Sequence, residues 1–165
     1  MVLRFALPLL ALLLTAVPSS AQNAPARIGI GIDALAIPVR SGDVDPSVGL
    51  GIRGRIALPV NADLSAAASL GISTSLASDA VITATPQVSM IVTLPGGENS
   101  VRYILGGFGG YVPFSGGGAG PTVHLGFGWA VPLSETSLYF EIDPALVVGS
   151  DALTVVVPLR AGVIF

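Results

Sequence analysis

The sequence predicts an all-β protein, an eight-stranded antiparallel up-and-down transmembrane β-barrel. Hydrophobicity alternates with a period of two over stretches of about ten residues, and clusters of Gly, Pro, Asn, Asp and Ser separate these stretches. Bulky apolar side chains occupy one parity of each stretch, while the other parity holds small residues and the charges. Only 10% of the 165 residues are charged and 52% are apolar, which is too little charge for an ordinary soluble surface.

The first 21 residues are typical of a cleaved signal peptide, with one arginine, an apolar run at 5–17 and small residues at the positions that a signal peptidase reads. This run is shorter than the roughly 20 residues that a spanning helix needs, which disfavours a permanent helical anchor. We expect residues 1–21 to be removed, residues 22–26 to form a short linker and residues 27–165 to form the barrel.

Eight stretches are predicted to be strands, and three of the connections between them are similar tight turns. The turns "LPVNADL", "LPGGENS" and "VPLSETS" recur about every 36 residues, one per hairpin. They should therefore meet at one end of the barrel together with both chain termini, and the other four connections should lie at the opposite end. The predicted strands are 27–38, 48–59, 63–74, 82–94, 101–112, 121–132, 137–148 and 153–165.

In each predicted strand, bulky apolar side chains occupy alternate positions, and we expect these positions to face outward. Taken strand by strand in chain order, the residues at these positions are Ile28, Ile30 and Ile32; Val48, Leu50, Ile52, Ile56 and Leu58; Leu64, Leu70 and Ile72; Val88, Met90 and Val92; Val101, Tyr103, Leu105 and Tyr111; Val123, Leu125, Phe127, Trp129 and Val131; Leu138, Phe140, Ile142, Leu146 and Val148; and Leu159, Ala161, Val163 and Phe165. The fifth strand is the weakest case, because Ile104 and Phe108 fall on the other parity with Arg102.

The character of the two faces favours a membrane barrel over a soluble one. A soluble barrel of eight strands needs large residues inside and an outer face rich in Lys and Glu, whereas this chain has no lysine and its polar parity is mostly small. An arginine facing lipid at mid-depth would cost about 2–4 kcal/mol. The charges that we expect to face inward are Arg27, Asp33, Arg53, Arg55, Arg102, Glu141, Asp143 and Arg160.

These inward charges predict an ion-pair network in the lumen. Folding the first hairpin places Asp33 opposite Arg53, and folding the last places Glu141 opposite Arg160. The interior of an eight-stranded barrel is just wide enough to be filled by side chains, so the network should close the lumen. Its predicted members are Asp33, Arg53, Arg55, Glu141, Asp143 and Arg160.

Aromatic residues on the outward parity predict girdles at headgroup depth. Four of them lie near the end with the tight turns and one lies near the other end. They are Tyr103, Trp129, Phe140 and Phe165, and Tyr111.

The last strand, "TVVVPLRAGVIF", resembles the C-terminal signature strand of Gram-negative outer-membrane proteins, with a terminal aromatic and apolar residues at alternate positions. The resemblance extends in architecture to small barrels of the OmpA/OmpX type. It implies a place in the outer membrane, with membrane lipid and lipopolysaccharide as surroundings and the barrel-assembly machinery as a partner during biogenesis. The residues that this machinery would read are Val157, Leu159, Ala161, Val163 and Phe165.

Signs of chemistry are few. His124 is the only histidine and there is no cysteine, so neither a multi-histidine nor a Cys-ligated metal site is expected. Some barrels of this size are lipid A deacylases with His and Ser on the outer wall, but Gly126 stands two after His124, whose parity is inward. The glycine-rich run at 106–120 lacks the Lys-Ser/Thr ending of a phosphate loop. Four aspartates in the presumed outer connections are expected to be solvated: Asp43, Asp45, Asp79 and Asp151.

The leading hypothesis is a structural or surface-interaction barrel without catalysis or cofactor. The alternatives are a narrow porin-like channel for small or hydrophobic solutes, an enzyme of the envelope lipids, and a soluble ligand-binding barrel. A net charge of −3 gives no basic footprint for nucleic acid. The sequence leaves the ligand, the surface partner and the oligomeric state open.

Overall fold

The computed structural model describes residues 25–40, 47–76, 81–95, 99–114, 118–149 and 153–165. The predicted signal peptide and the four aspartates of the outer connections lie outside these residues. The described strands are β1 (Arg27–Arg40), β2 (Ser47–Pro59), β3 (Leu64–Ser75), β4 (Ile82–Leu94), β5 (Val101–Pro113), β6 (Gly120–Pro132), β7 (Ser137–Ile142), β8 (Ala145–Val148) and β9 (Leu153–Ile164). In this part of the chain, no helix is long and apolar enough to cross a membrane.

The strands form one closed antiparallel barrel. Each strand from β1 to β6 pairs with the next along the chain, β9 pairs with β7 and β8, and β9 also pairs with β1 to complete the cylinder. β7 and β8 are one barrel strand, because both pair with β6 and β9 in a continuous register across Asp143 and Pro144. Pro144 has no N–H to give to the ladder at this interruption. The predicted fold class, an eight-stranded up-and-down barrel, is confirmed, and the strand ends differ from the predicted ones by two residues or fewer.

Tight turns close one end of the barrel. Between β2 and β3, the side-chain carbonyl of Asn61 accepts hydrogen bonds from the backbone N–H groups of Asp63 at 2.9 Å and Leu64 at 2.8 Å. Between β6 and β7, the N–H of Leu133 donates to the carbonyl of Thr136 at 2.8 Å. Asparagine favours such turns because its short side chain replaces a backbone acceptor.

The barrel wall separates the two sets of alternating residues, one facing outward and the other facing the lumen. Ile52 and Leu125 on the outer face are 65% and 68% exposed, whereas Arg53 beside Ile52 is only 3% exposed. Small residues dominate the inner parity because eight strands leave little room for side chains. The described part of the barrel is therefore apolar outside and polar inside, which is the reverse of a soluble protein.

The strand β5 corrects the prediction for its two faces. Tyr103 and Leu105 are buried inside the barrel, while Ile104 and Phe108 are exposed on the outer wall. Both faces of this strand are apolar, so the alternation does not distinguish them. Arg102 lies outside rather than in the lumen, as the second residue of the strand and close to the end of the barrel.

Candidate functional site: the barrel lumen

The centre of the lumen is organised around Arg53 of β2. Its Nε donates to Oδ2 of Asp33 at 2.9 Å, and Nη1 donates to Oε1 of Gln87 at 2.8 Å and to Oγ of Ser69 at 3.0 Å. Nη2 donates to Oγ1 of Thr85 at 2.9 Å. One guanidinium thereby connects four strands, which suits its fixed fork of five N–H donors.

Arg160 of β9 forms the second part of the network. Its Nη1 donates to Oδ2 of Asp143 at 2.5 Å, and Nη2 donates to Oε1 of Gln87 at 3.2 Å. Its Nε lies 3.6 Å from Oδ1 of Asp33. Oε1 of Gln87 accepts from both Arg53 and Arg160, so these two cations share one neutral acceptor.

Arg55 and Glu141 form a bidentate ion pair nearer the end with the tight turns. The two contacts are 2.5 Å and 2.6 Å long, and the hydroxyl of Tyr103 donates to the same carboxylate at 2.8 Å. Oε2 of Glu141 also lies 3.5 Å from Nη1 of Arg160. Charge-assisted bonds of this kind are stronger than neutral ones and offset part of the cost of burial.

The six predicted network residues thus lie together, with three arginines against three carboxylates. Glu141 is directly opposite Arg160 in the register, as expected, and Asp33 is opposite Arg160 on the other side of β9. Asp33 is not directly opposite Arg53, because the first hairpin places Gly51 across from Asp33 and Gly31 across from Arg53. The ion pair forms diagonally, over a distance that long side chains can span.

The sequence analysis names only charged residues as members of the network, although the lumen also holds neutral ones. Gln87, Ser89 and Tyr139 are all buried there, and Tyr103 had been assigned to the outer wall. Glycines opposite the tyrosines carry a signal of this placement, because a Cβ on Gly128 would lie 2.6 Å from the hydroxyl oxygen of Tyr103. Likewise a Cβ on Gly126 would lie 2.7 Å from Oδ1 of Asp143. Glycine on the inner parity therefore leaves room for large polar neighbours.

His124 lies between a serine and an aspartate. Its Nδ1 is 2.8 Å from Oδ1 of Asp143 and its Nε2 is 3.2 Å from Oγ of Ser89. This is the order of groups in a Ser-His-Asp triad. All three side chains are buried, however, and Asp143 also binds Arg160. The three residues are therefore enclosed in the lumen network, where they contribute hydrogen bonding.

The predicted aromatic girdle is divided between the two faces. Trp129 and Phe140 are exposed on the outer wall, with stacked rings whose centroids are 5.4 Å apart, and Phe165 is 61% exposed. Tyr103 and Tyr111 are not part of this outer surface. Tyr103 binds Glu141 inside, and the hydroxyl of Tyr111 accepts a 3.4 Å hydrogen bond from buried Thr83.

The terminal strand lies at the seam of the barrel. The N–H of Phe165 donates to the carbonyl of Ile28 at 2.8 Å, and the N–H of Ile28 donates back at 3.2 Å. Leu159 is exposed on the outer wall, and Val157, Ala161 and Val163 are half-buried there. The last residue thus completes the pairing of β9 with β1.

A cavity of about 580 Å³ occupies the lumen at the end with the tight turns. Arg55, Tyr103 and Tyr139 contribute to its lining on the side of the ion-pair network. Arg27 of β1 and Glu135 of the turn between β6 and β7 line it nearer the end of the barrel.

Comparison with known proteins finds the same fold in solved structures of low sequence identity. No family model matches the chain, and no curated protein matches it. Neisserial surface protein A (NspA) is 12% identical, with a TM-score of 0.70 over 84% of this chain and 95% of NspA. Ail, the attachment invasion locus protein of Yersinia pestis, is 15% identical, with a TM-score of 0.52 over 85% of this chain and 97% of Ail. A structure of Ail in complex with the heparin analogue sucrose octasulfate gives a TM-score of 0.51 at 15% identity, over 85% of this chain and 97% of that one. The expected similarity to small outer-membrane barrels is confirmed at the level of the fold.

Proposed function

We propose that this protein is an integral outer-membrane barrel with a structural or surface-interaction role, and that its lumen is filled by side chains. The observation that carries the proposal is the outer wall of exposed apolar side chains around a buried, charge-balanced network. An apolar surface of this extent is unfavourable in water but matches acyl chains. Arg102, which lies on this wall, is near a strand end, where it can reach the headgroups.

The orientation is proposed by analogy with bacterial outer-membrane barrels, which have short turns on the periplasmic side. All connections between the barrel strands of this chain are short, with four to six residues, so the analogy rests on the tight turns after β2 and β6. The tight turns and Phe165 would therefore face the periplasm, and the connections after β1, β3, β5 and β8 would face the cell exterior.

A surface role is supported by what the similar structures are. One is a surface protein of Neisseria, and another is an attachment invasion locus protein that has been solved with a heparin analogue. By analogy, the outer connections of this barrel are proposed to contact a partner outside the cell, while the lumen only stabilises the wall.

Cell fractionation tests the location directly. The protein should remain with outer membranes after salt and carbonate washing, and detergent should release it in a form whose gel mobility changes on heating. Recovery in the soluble periplasmic fraction would contradict the proposal and favour a soluble ligand-binding barrel.

A narrow channel is the second candidate, because the cavity at the turn end opens part of the lumen. Against it, the Arg53–Asp33 and Arg160–Asp143 pairs lie across the remaining path. Single-channel conductance of the refolded protein separates the two functions.

A further inference from the structure

The cavity at the turn end combines unused hydrogen-bond donors with apolar walls. Its volume of about 580 Å³ falls within the range of small-molecule sites. Unlike the centre of the lumen, where ion pairs fill the space, this end of the barrel leaves room for a ligand.

The inner part of the cavity has donors that no described residue satisfies. Arg55 uses two of its five N–H groups on Glu141. Tyr139 is only 2% exposed and lines the cavity, yet its hydroxyl makes no hydrogen bond to any described residue. This hydroxyl lies beside Gly31, on the side of the cavity towards the ion-pair network, and is a donor available to a group bound there.

The outer part of the cavity contains one cation and one anion. Arg27 faces inward by its parity on β1, and it forms no ion pair among the described residues. Glu135 lies at the rim, in the turn between β6 and β7, and is exposed. Because Glu135 is in contact with water, its charge is screened. It therefore repels a bound anion less than its formal charge suggests.

The remaining walls are apolar. Ile91, Val101, Leu133 and Ile164 line the cavity together with the ring of Tyr103. A wholly polar ion would leave these apolar side chains in contact with water, whereas a hydrocarbon tail would cover them.

We propose that this cavity binds a small amphipathic anion, with a single carboxylate or similar headgroup and a compact apolar tail. The headgroup accepts hydrogen bonds from Arg55 and Tyr139 and is attracted by Arg27. The tail lies along Ile91, Val101 and Ile164. This binding site is independent of the proposed surface role, since it opens at the other end of the barrel.

The test uses the whole mature protein in lipid nanodiscs, with octanoate as the anionic probe and octyltrimethylammonium as a cationic probe with the same tail. Backbone amide shifts measured by NMR locate each probe and give its Kd. Octanoate should shift amides that line the cavity, and the cation should bind at least about tenfold more weakly, as expected for loss of a charge-assisted hydrogen bond.

Three substitutions make the test specific. Arg27→Gln should weaken octanoate binding about three- to tenfold and Tyr139→Phe about fivefold, while Glu135→Gln should strengthen it about twofold. Arg102→Gln is the matched control, because Arg102 lies at the same end of the barrel but on its outer face. Its Kd for octanoate should equal that of the wild type.

The ligand could be supplied by the periplasmic water or by the membrane, and oleate, which stays in the bilayer, is the probe that distinguishes these two sources. Shifts of the cavity amides by octanoate alone support a ligand from the periplasmic water, and shifts by both support one supplied by the membrane. Absence of octanoate binding, equal binding of the cation, or equal weakening by Arg102→Gln would overturn the proposal.

Discussion

Glu141 shows how a single residue connects several members of the lumen network. It accepts two hydrogen bonds from Arg55 and one from Tyr103, and it lies 3.5 Å from Arg160. Burying a carboxylate is costly unless its partners are close and well oriented. Glu141 meets this condition, but its removal leaves two buried arginines with less compensation.

We expect Glu141→Gln to destabilise the folded barrel by about 3–5 kcal/mol, since it keeps the shape and removes the charge. The measurement is the urea midpoint of unfolding in lipid vesicles. Glu135→Gln is the control, because Glu135 is exposed in a turn and its loss should leave the midpoint unchanged. A Glu141→Gln protein as stable as the wild type would refute the role of the network in stability.

The two tyrosines predicted wrongly from the sequence provide a second comparison. Tyr103→Phe loses a hydrogen bond to a charged group and should cost about 1.5–3 kcal/mol. Tyr111→Phe loses a 3.4 Å contact with the neutral hydroxyl of Thr83 and should cost less than about 1 kcal/mol. Equal shifts of the urea midpoint in the two variants would show that Tyr103 does not act through Glu141.

At the scale of the element, the sequence predicts strands well where their two faces differ. In β6, Trp129, Phe127 and Leu125 alternate with Gly126 and Gly128, and this parity fixes which side faces out. In β5 both faces are apolar, so the alternation leaves its orientation open, and the hydroxyl of Tyr103 with its distant partner Glu141 indicates which face points inward. That information lies in a contact between residues 38 positions apart, which no local pattern contains. The same limit explains why Gln87, a neutral side chain shared by two arginines, was missed.

The terminal strand β9 gives the prediction at this scale. Phe165→Asp should reduce the fraction of heat-modifiable protein in the outer membrane several-fold, because a charge replaces an exposed aromatic at the expected headgroup depth and in the expected assembly signal. Phe114→Asp is the control: Phe114 is 65% exposed just after β5, at the opposite end of the barrel. An equal loss for both variants would mean that any exposed aromatic matters and that the last residue has no special role.

For the whole molecule, closure of the sheet and closure of the lumen depend on the same residues. Asp33 on β1 and Arg160 on β9 face each other across the seam where the first and last strands pair. Members of the network come from every strand of the barrel, including Ser69 of β3, Gln87 of β4, Tyr103 of β5 and His124 of β6. The side chains that hold the cylinder together therefore also occupy its centre.

This arrangement predicts that the refolded wild-type protein carries no steady ionic current in planar bilayers. The double substitution Asp33→Ser and Arg53→Ser removes one charge of each sign, so the charge balance of the lumen is preserved while the long side chain of Arg53 and its ion pair disappear from the centre. We expect this variant to fold, as judged by heat-modifiability, and to show discrete conducting events in salt solution. Its current also serves as the control for insertion, since a silent wild type is informative only if the variant in the same membrane conducts. Steady conductance of the wild type would identify the barrel as a channel, and a correctly inserted but silent variant would show that the obstruction lies elsewhere in the lumen.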